Sequence, residues 1–180
     1  MLLDSFNQDL SRAYKVVATF YLYGVSEEIL GELSEEFEID LNSEKIEDIE
    51  EDFFNLFSSP EATLPPYESL YLSSETNRRT QGERISDEVS HLYASAGLNL
   101  APEMTGIPPD HIGLELLFAA YLIDNHMIDD LQRFFRLHMI KWIPMYCELI
   151  AKQARTDFMK ELAIITRELI LSDFEDLNYG

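Results

Sequence analysis

The spacing of the apolar residues constrains the fold of this chain more than any other feature, because it follows the period of an α-helix. In the first segment the apolar positions recur at three- and four-residue steps and stop at Gly24, a residue type that suits a helix end: Tyr14, Val17, Phe20 and Tyr21. The same spacing follows Ser43, a candidate N-cap: Ile46, Ile49, Phe53 and Phe57. No segment alternates with a two-residue period, so we predict an all-α fold without a sheet.

Helical spacing continues through the second half of the chain. A helix marked by Ile85, Val89, Leu92 and Ala96 can end at Gly97, and a further apolar run begins at Leu114. Pro144 is expected to end or kink the helix that begins near Leu131, and the last helix is expected to start near Thr156 or Asp157.

Two proline-containing segments, residues 58–75 and 98–109, separate these helices and are interpreted as long loops. A chain of 180 residues with 46% apolar residues can bury one core. We therefore predict a single-domain bundle of about seven or more helices over residues 1–180. It divides into acidic N-terminal helices over 1–57, a loop over 58–75 and C-terminal helices over 76–177.

The charge of the chain limits its partners. It has 34 acidic and 13 basic residues, a net charge of -21, and the segment from Glu27 to Asp52 holds thirteen acidic residues and one lysine. We interpret that segment as a solvated acidic face over an apolar stripe. Such a surface repels nucleic-acid phosphates and anionic lipids, so we expect neither as a partner and favour cationic partners.

Cysteine content and hydropathy indicate a cytoplasmic protein. Cys147 is the single cysteine, so the chain can form no internal disulfide, and we interpret it as a small buried hydrophobic residue. The N-terminus lacks a basic head followed by a long apolar run, and no uncharged stretch approaches the roughly 20 residues that cross a bilayer. We expect no membrane insertion.

The chain has none of the common sequence signatures of catalysis, such as a phosphate-binding loop or a zinc-protease helix. We therefore expect no enzyme activity, no cofactor and no metal. His111 and Glu115 stand four residues apart, a valid spacing for two metal ligands, but no second paired motif accompanies them. A metal-dependent hydrolase using His111, Glu115 and His126 is one alternative, and an acidic helical adaptor for a basic protein surface is another.

Asp110 and His111 follow two prolines and precede an apolar helix. Asp at this position is typical of an N-cap, which accepts a backbone N–H at the positive end of a helix. The same two side chains could instead form one wall of a binding site.

Three segments, in this order and at these separations, resemble the TorD/DmsD/NarJ family of chaperones for the maturation of complex molybdoenzymes: PPYESLYLS, PPDHIGLEL and FFRLHMIKWIPMY. The first supplies the family's proline pair and two aromatic residues, the second its Asp-His pair, and the third its His-x-x-x-Trp, here His138 and Trp142. Two departures from the family pattern are visible. Ile107 stands where the family often has glutamate, and Tyr67 and Tyr71 stand where some members carry tryptophan.

The resemblance implies a cytoplasmic, system-specific chaperone. Such a protein binds the twin-arginine leader peptide and the apoprotein of a molybdopterin-dependent oxidoreductase, and it permits cofactor insertion before export. A receptor for such a leader needs carboxylates beside an apolar groove. The residues that the resemblance and this chemistry point to are Tyr67, Leu70, Tyr71, Pro109, Asp110, His111, Glu115, His138, Trp142 and Tyr146. Asp110 would accept a hydrogen bond from the leader, and His111 would bind the peptide or respond to pH. A homodimer is an open alternative to a monomer.

Overall fold

Nine α-helices form the described part of the chain in a computed structural model, which describes residues 2–41, 44–73, 78–99 and 104–179. They are α1 (Leu2–Tyr23), α2 (Glu27–Phe37), α3 (Ile46–Phe53), α4 (Glu68–Leu72), α5 (Arg78–Ser95), α6 (Ile112–Asp124), α7 (Ile128–Phe134), α8 (Ile140–Gln153) and α9 (Asp157–Tyr179). A π-helical turn, Phe54–Ser58, extends α3, and a second, Phe135–Met139, joins α7 to α8. Within the described residues, β pairing is limited to one isolated bridge between Tyr67 and His111. The predicted all-α bundle without a sheet is confirmed.

The core of the bundle is organised around α6, in which 10 of 13 residues are buried. Helix α1 packs along α6, and α8 packs along α9. The buried apolar side chains of these helices form one contiguous cluster that also includes residues of α2, α3, α5 and α7, as expected for a single domain. In the described part of the chain, no helix has the length and apolarity that crossing a membrane requires.

The two predicted glycine helix ends are confirmed. Gly24 follows α1 with φ of 82°, and its N–H donates to the Phe20 carbonyl at 2.9 Å. Gly97 follows α5 with φ of 81°, and the next N–H, that of Leu98, returns to the Tyr93 carbonyl at 2.9 Å. A left-handed residue at this position lets late carbonyls of the helix find donors, which ends each helix cleanly.

The segment 58–75 is not entirely loop, because it contains the short helix α4. Two tyrosines fix the chain before that helix: Tyr71 Oη donates to the Pro65 carbonyl at 2.9 Å, and Tyr146 Oη donates to the Leu64 carbonyl at 2.8 Å. Sequence periodicity missed α4 because five residues are too few to show a helical period.

Pro144 lies inside α8 and does not end it, since the helix continues to Gln153. A proline removes one backbone donor and crowds the carbonyl four residues earlier. The departure from α-helical geometry lies just before α8, in the π-helical turn Phe135–Met139. Of the two predicted effects of Pro144, an end of the helix is therefore wrong, and a kink stays a prediction; the π-helical turn lies five or more residues earlier.

The acidic segment is more than a solvated face, because two of its carboxylates hold the start of α9. Asp52 is 2% exposed, and its Oδ2 accepts hydrogen bonds at 2.9 Å from the backbone N–H of Arg155 and from both the N–H and Oγ1 of Thr156. Glu44 accepts from the N–H groups of Asp157 and Phe158 at 2.8 and 2.7 Å. These carboxylates satisfy donors that a helix start leaves free. The proposed cap Ser43 lies outside the described residues.

Asp52→Ala should lower the free energy of unfolding by about 1 to 2 kcal/mol, because it removes the acceptor for two backbone donors at the start of α9. Glu50→Ala, an exposed acidic position on the same helix, is the matched control and should change stability by less than about 0.5 kcal/mol. Urea denaturation of both variants measures the difference. Equal effects of the two substitutions would show that Asp52 does not cap α9.

Candidate functional site

The first and second motif segments meet in space at the starts of α4 and α6. The Glu68 N–H donates to the Asp110 carbonyl and the Ile112 N–H donates to the Pro66 carbonyl, both at 2.9 Å. These bonds form the bridge between Tyr67 and His111, whose rings pack edge to face with centroids 5.3 Å apart. Two chain segments about 40 residues apart are thus locked side by side.

Asp110 caps a helix, but not its own. Its buried carboxylate accepts from the Ser69 N–H at 3.0 Å, which places it at the start of α4. The N-cap of α6 is His111, whose Nδ1 accepts from the Gly113 N–H at 3.0 Å. The prediction that Asp110 caps the helix it precedes is therefore wrong, because the nearest free backbone donors to its carboxylate belong to α4.

The capping role of His111 also sets its protonation state. Burial lowers the pKa of His111 to about 4, although the neighbouring Asp110 raises it. A neutral ring is required for Nδ1 to accept from Gly113, which agrees with this direction. With its pKa lowered to about 4, the His111 ring is neutral at neutral pH in this structure, and a pH response of this residue in peptide binding stays a prediction.

Behind the bridge lies a buried polar network that connects α4, α6 and α8. His138 Nδ1–H donates to both carboxylate oxygens of Glu68, at 3.0 and 2.9 Å, and Trp142 Nε1–H donates to Oε2 of Glu115 at 2.9 Å. Glu68 and Glu115 are 1% and 0% exposed. These bonds hold the short helix α4, which carries Leu70 and Tyr71, against the rest of the bundle.

Glu115 is the unusual member of this network. Its Oε1 is fully buried and accepts no hydrogen bond. Burial raises the pKa of Glu115 well above its usual value, the nearby Glu68 carboxylate raises it further, and the Trp142 hydrogen bond opposes both. A protonated Oε1 becomes a donor toward Glu68, so a neutral Glu115 satisfies both carboxyl groups with one proton.

The aromatic residues of the motifs pack on one another beside this network. Tyr71 stacks on Trp142 with ring centroids 5.7 Å apart and contacts Tyr146 edge-on at 5.0 Å. Trp142 and Tyr146 are fully buried, whereas Tyr71 is half-buried. This stack positions α4 on α8, and burial raises the pKa of the Tyr71 phenol, so it stays neutral.

A surface groove opens on the outer side of the bridge, with a cavity volume of about 370 Å³. We call it the aromatic groove; it is lined by Tyr21, Leu22, Tyr23, Gly24, Phe53, Phe57, Ser58, Pro66, Tyr67, Ile107 and His111. Tyr23, one of these lining residues, is 66% exposed. Exposed aromatic side chains beside a concave surface are typical of a binding site.

The predicted site residues therefore separate into three groups. Tyr67 and His111 line the aromatic groove, Leu70, Tyr71 and Pro109 lie partly exposed, and the remainder are buried: Asp110, Glu115, His138, Trp142 and Tyr146. Sequence reasoning missed Tyr23, Phe53 and Phe57 as groove residues. The signal available for Tyr23 was an aromatic residue off the apolar stripe, directly before the helix-ending Gly24.

The alternative metal site does not form. His111 and His126 lie at opposite ends of α6, which for a helix of 13 residues is a separation of about 20 Å. No single ion can bind side chains that far apart. Among the described residues, no group of three or more His, Cys, Asp or Glu side chains is arranged to hold a metal.

The fold and this surface define a class: an all-helical single domain with an aromatic groove beside two interlocked motif segments. The chain belongs to the nitrate reductase delta subunit family, whose model matches residues 24–148. The resemblance to the TorD/DmsD/NarJ group is confirmed by this match and by two relatives.

Both relatives are named as chaperones. The chaperone protein YcdY of Escherichia coli is 28% identical over 129 residues, which cover 70% of this chain and 63% of that protein. The probable Tat proofreading chaperone DmsD of Haemophilus influenzae is 32% identical over 123 residues, which cover 67% of this chain and 57% of that protein. The chain therefore spans less than two thirds of the length of either relative.

Proposed function

We propose that this protein is a chaperone that binds the twin-arginine leader peptide, and through it the apoprotein, of a molybdopterin-dependent oxidoreductase. The observation that carries the proposal is the aromatic groove, which joins the motif residues Tyr67 and His111 to the exposed Tyr23 in a chain of a chaperone-containing family. We further propose that it acts in the cytoplasm, without catalysis and without a bound cofactor.

The groove suits the apolar part of a leader peptide. Its walls are largely aromatic and its floor is held by the Tyr67–His111 bridge, so it is concave before a ligand arrives. Preformed sites avoid part of the entropy loss of association. Burial lowers the pKa of His111, so its imidazole ring is neutral and can form a hydrogen bond with a peptide without placing a positive charge in the groove.

The magnitudes favour apolar contact over charge as the main source of affinity. Burying about 500 Å² of apolar leader surface yields on the order of 12 kcal/mol before costs. Association costs about 4 to 15 kcal/mol, whereas an exposed ion pair contributes roughly 0 to 1 kcal/mol. The net charge of -21 attracts the two arginines of the leader toward the protein and orients the leader, but it contributes less to the affinity than the apolar contacts do.

Titration calorimetry with twin-arginine leader peptides at low and moderate salt tests this function. We expect one leader to bind selectively, with a negative heat-capacity change that persists in salt. A leader whose two arginines are replaced by lysines should bind more weakly, because lysine lacks the planar fork of donors. Weak binding of every basic peptide, abolished by salt, would instead support the acidic adaptor.

Tyr23→Ala should weaken leader binding by about tenfold, because the side chain is exposed on the free groove and would be buried by the peptide. Ile164→Ala is the control, since Ile164 is an exposed apolar residue of α9 that does not line the groove. Both variants should unfold at nearly the parent temperature. If Tyr23→Ala binds as tightly as Ile164→Ala, the leader does not occupy this groove.

A further inference from the structure

A second concave surface lies between α5 and the α7–α8 region, and it shares no residue with the aromatic groove. Its cavity volume is about 570 Å³, within the range of small-molecule sites. We call it the basic cleft; it is lined by Arg84, Asp87, Glu88, His91, Leu92, Ser95, Arg133, Leu137, His138 and Lys141. Three of the 13 basic residues of a chain with net charge -21 meet here.

The charges in the basic cleft are not balanced by ion pairs. Arg84 pairs with Glu88 at 3.4 Å, which leaves Asp87 as the remaining acidic side chain of the lining. Arg133 and Lys141 form no ion pair within the described part of the chain, although acidic residues outnumber basic ones almost three to one. Arg133 and Lys141 together outweigh the one remaining carboxylate, Asp87, so the lining carries one excess positive charge in a chain of net charge -21, which favours an anionic ligand.

His138 gives the cleft a fixed polar atom at its base. The side chain is 5% exposed, and Nδ1–H is held by the Glu68 carboxylate. Among the described residues, Nε2 of His138 has no hydrogen-bond partner. In that part of the chain, Oε1 of Glu115 is the one fully buried side-chain nitrogen or oxygen atom without a partner, so Nε2 of His138 is not fully buried. Nε2 is therefore open to the cleft.

The second histidine of the cleft is oriented in the same way. Nδ1 of His91 is bonded to the Asp87 carbonyl at 2.8 Å, which leaves its Nε2 available. A ring nitrogen in this position accepts from a ligand O–H when the ring is neutral and donates to an oxyanion when it is protonated. Both states suit a ligand such as hydrogen phosphate, which carries O–H and charged oxygen atoms.

We propose that the basic cleft binds a small oxyanion-bearing ligand, with its oxyanion group held by Nε2 of His138 and by the side chains of Arg133 and Lys141. Glu68 fixes the orientation of the His138 ring, and the positive charges of Arg133 and Lys141 attract the negatively charged group of the ligand. This proposal is independent of leader binding. The recognised chemistry is a phosphate or a carboxylate group on a small molecule.

Histidine ring-nitrogen spectra at constant ionic strength and pH test the proposal, with inorganic phosphate, pyrophosphate and succinate as probes. Phosphate and pyrophosphate should shift the His138 ring signals with a plateau, at a dissociation constant on the order of 1 mM or tighter. His126, which is exposed outside the cleft, is the internal control and should not shift. Equal saturation by succinate would extend the site to carboxylates, and its failure to bind would restrict it to phosphates.

Two variants separate a site from general charge screening. Combining Arg133→Gln with Lys141→Gln should weaken phosphate binding about 5- to 10-fold, since each exposed cation contributes modestly. Arg136→Gln removes an exposed cation of the connecting turn that does not line the cleft, and it should leave binding unchanged. Shifts without a plateau, equal shifts at His126, or equal weakening by Arg136→Gln would overturn the proposal.

Discussion

Glu115→Ala should lower the free energy of unfolding by about 3 kcal/mol, measured by urea denaturation at pH 6.5. The substitution leaves the buried Trp142 N–H without its acceptor, which costs about 1 to 3 kcal/mol. It also opens a cavity at a position that is 0% exposed. Because α4 is held by the network that includes Glu115, near-ultraviolet circular dichroism should show altered packing of Trp142 as well.

Glu115→Gln should behave differently, because the amide keeps an acceptor for Trp142 and supplies a donor toward Glu68. At pH 6.5 its free energy of unfolding should lie within about 1 kcal/mol of the parent value. This contrast distinguishes loss of a polar contact from loss of a charge. A Glu115→Gln protein as unstable as Glu115→Ala would show that the ionised carboxylate, not the neutral acid, is the native form.

The pH dependence of stability follows from the direction of the Glu115 shift. An acid whose pKa is raised in the folded state makes its full contribution to the free energy of unfolding at low pH. That contribution is lost as pH rises from the pKa of the group in the unfolded chain to its pKa in the folded protein. The pKa of Asp173 is raised to about 6, so its ionisation also makes stability fall as pH rises toward 6. The pKa of His111 is lowered to about 4, so this residue makes stability rise with pH between about 4 and 6.5. Above pH 6.5 the Glu115 contribution remains.

The raised pKa of Glu115 predicts that the free energy of unfolding of the parent protein falls as pH rises from 6.5 to 7.5, by up to about 1.4 kcal/mol, and that Glu115→Gln does not follow this decline. The window ends at pH 7.5 because the Cys147 thiol, whose pKa burial raises in the folded protein, ionises in the unfolded chain from about pH 8.5 and would then lower the stability of both proteins. Parallel pH profiles of the parent and Glu115→Gln over this window would show that Glu115 is already ionised in the folded state at pH 6.5.

Gly113→Ala should destabilise the protein by about 2 to 3 kcal/mol, because α1 and α6 are too close there to accept a side chain. An added Cβ would lie 2.5 Å from Cγ of Leu22 and 3.1 Å from the Ala18 carbonyl oxygen. The helices must separate or Leu22 must move, and either change disturbs the core and the aromatic groove, which Leu22 lines.

Gly31→Ala is the matched control for that substitution. Gly31 also lies in a helix, α2, but nothing lies within 4 Å of an added Cβ. The change should stabilise the protein by about 0.5 to 1 kcal/mol, because alanine restricts the unfolded chain and favours helix. Leu22→Ala should reduce the cost of Gly113→Ala in a double-mutant cycle. A stabilising Gly113→Ala would contradict the close helix contact.

Much of the fold was predictable from the sequence because helices leave a local signal. Apolar spacing located the main helices, and glycines marked the ends of α1 and α5 at Gly24 and Gly97. The family was also recognisable, since its three motifs are short strings of residues in a fixed order. Short or irregular elements were missed: α4 is shorter than two turns, and the π-helical turn before Pro144 has no distinct sequence pattern.

What the sequence determined by itself is the helical class, the acidic charge and the identity of the motif residues. The tertiary structure alone decided their roles. Asp110 caps α4 and His111 caps α6, because a side chain bonds whichever free donor the fold brings near it. Burial beside Glu68, not residue type, raises the pKa of Glu115. The aromatic groove joins segments from Tyr21 to His111, and only packing brings such distant positions together.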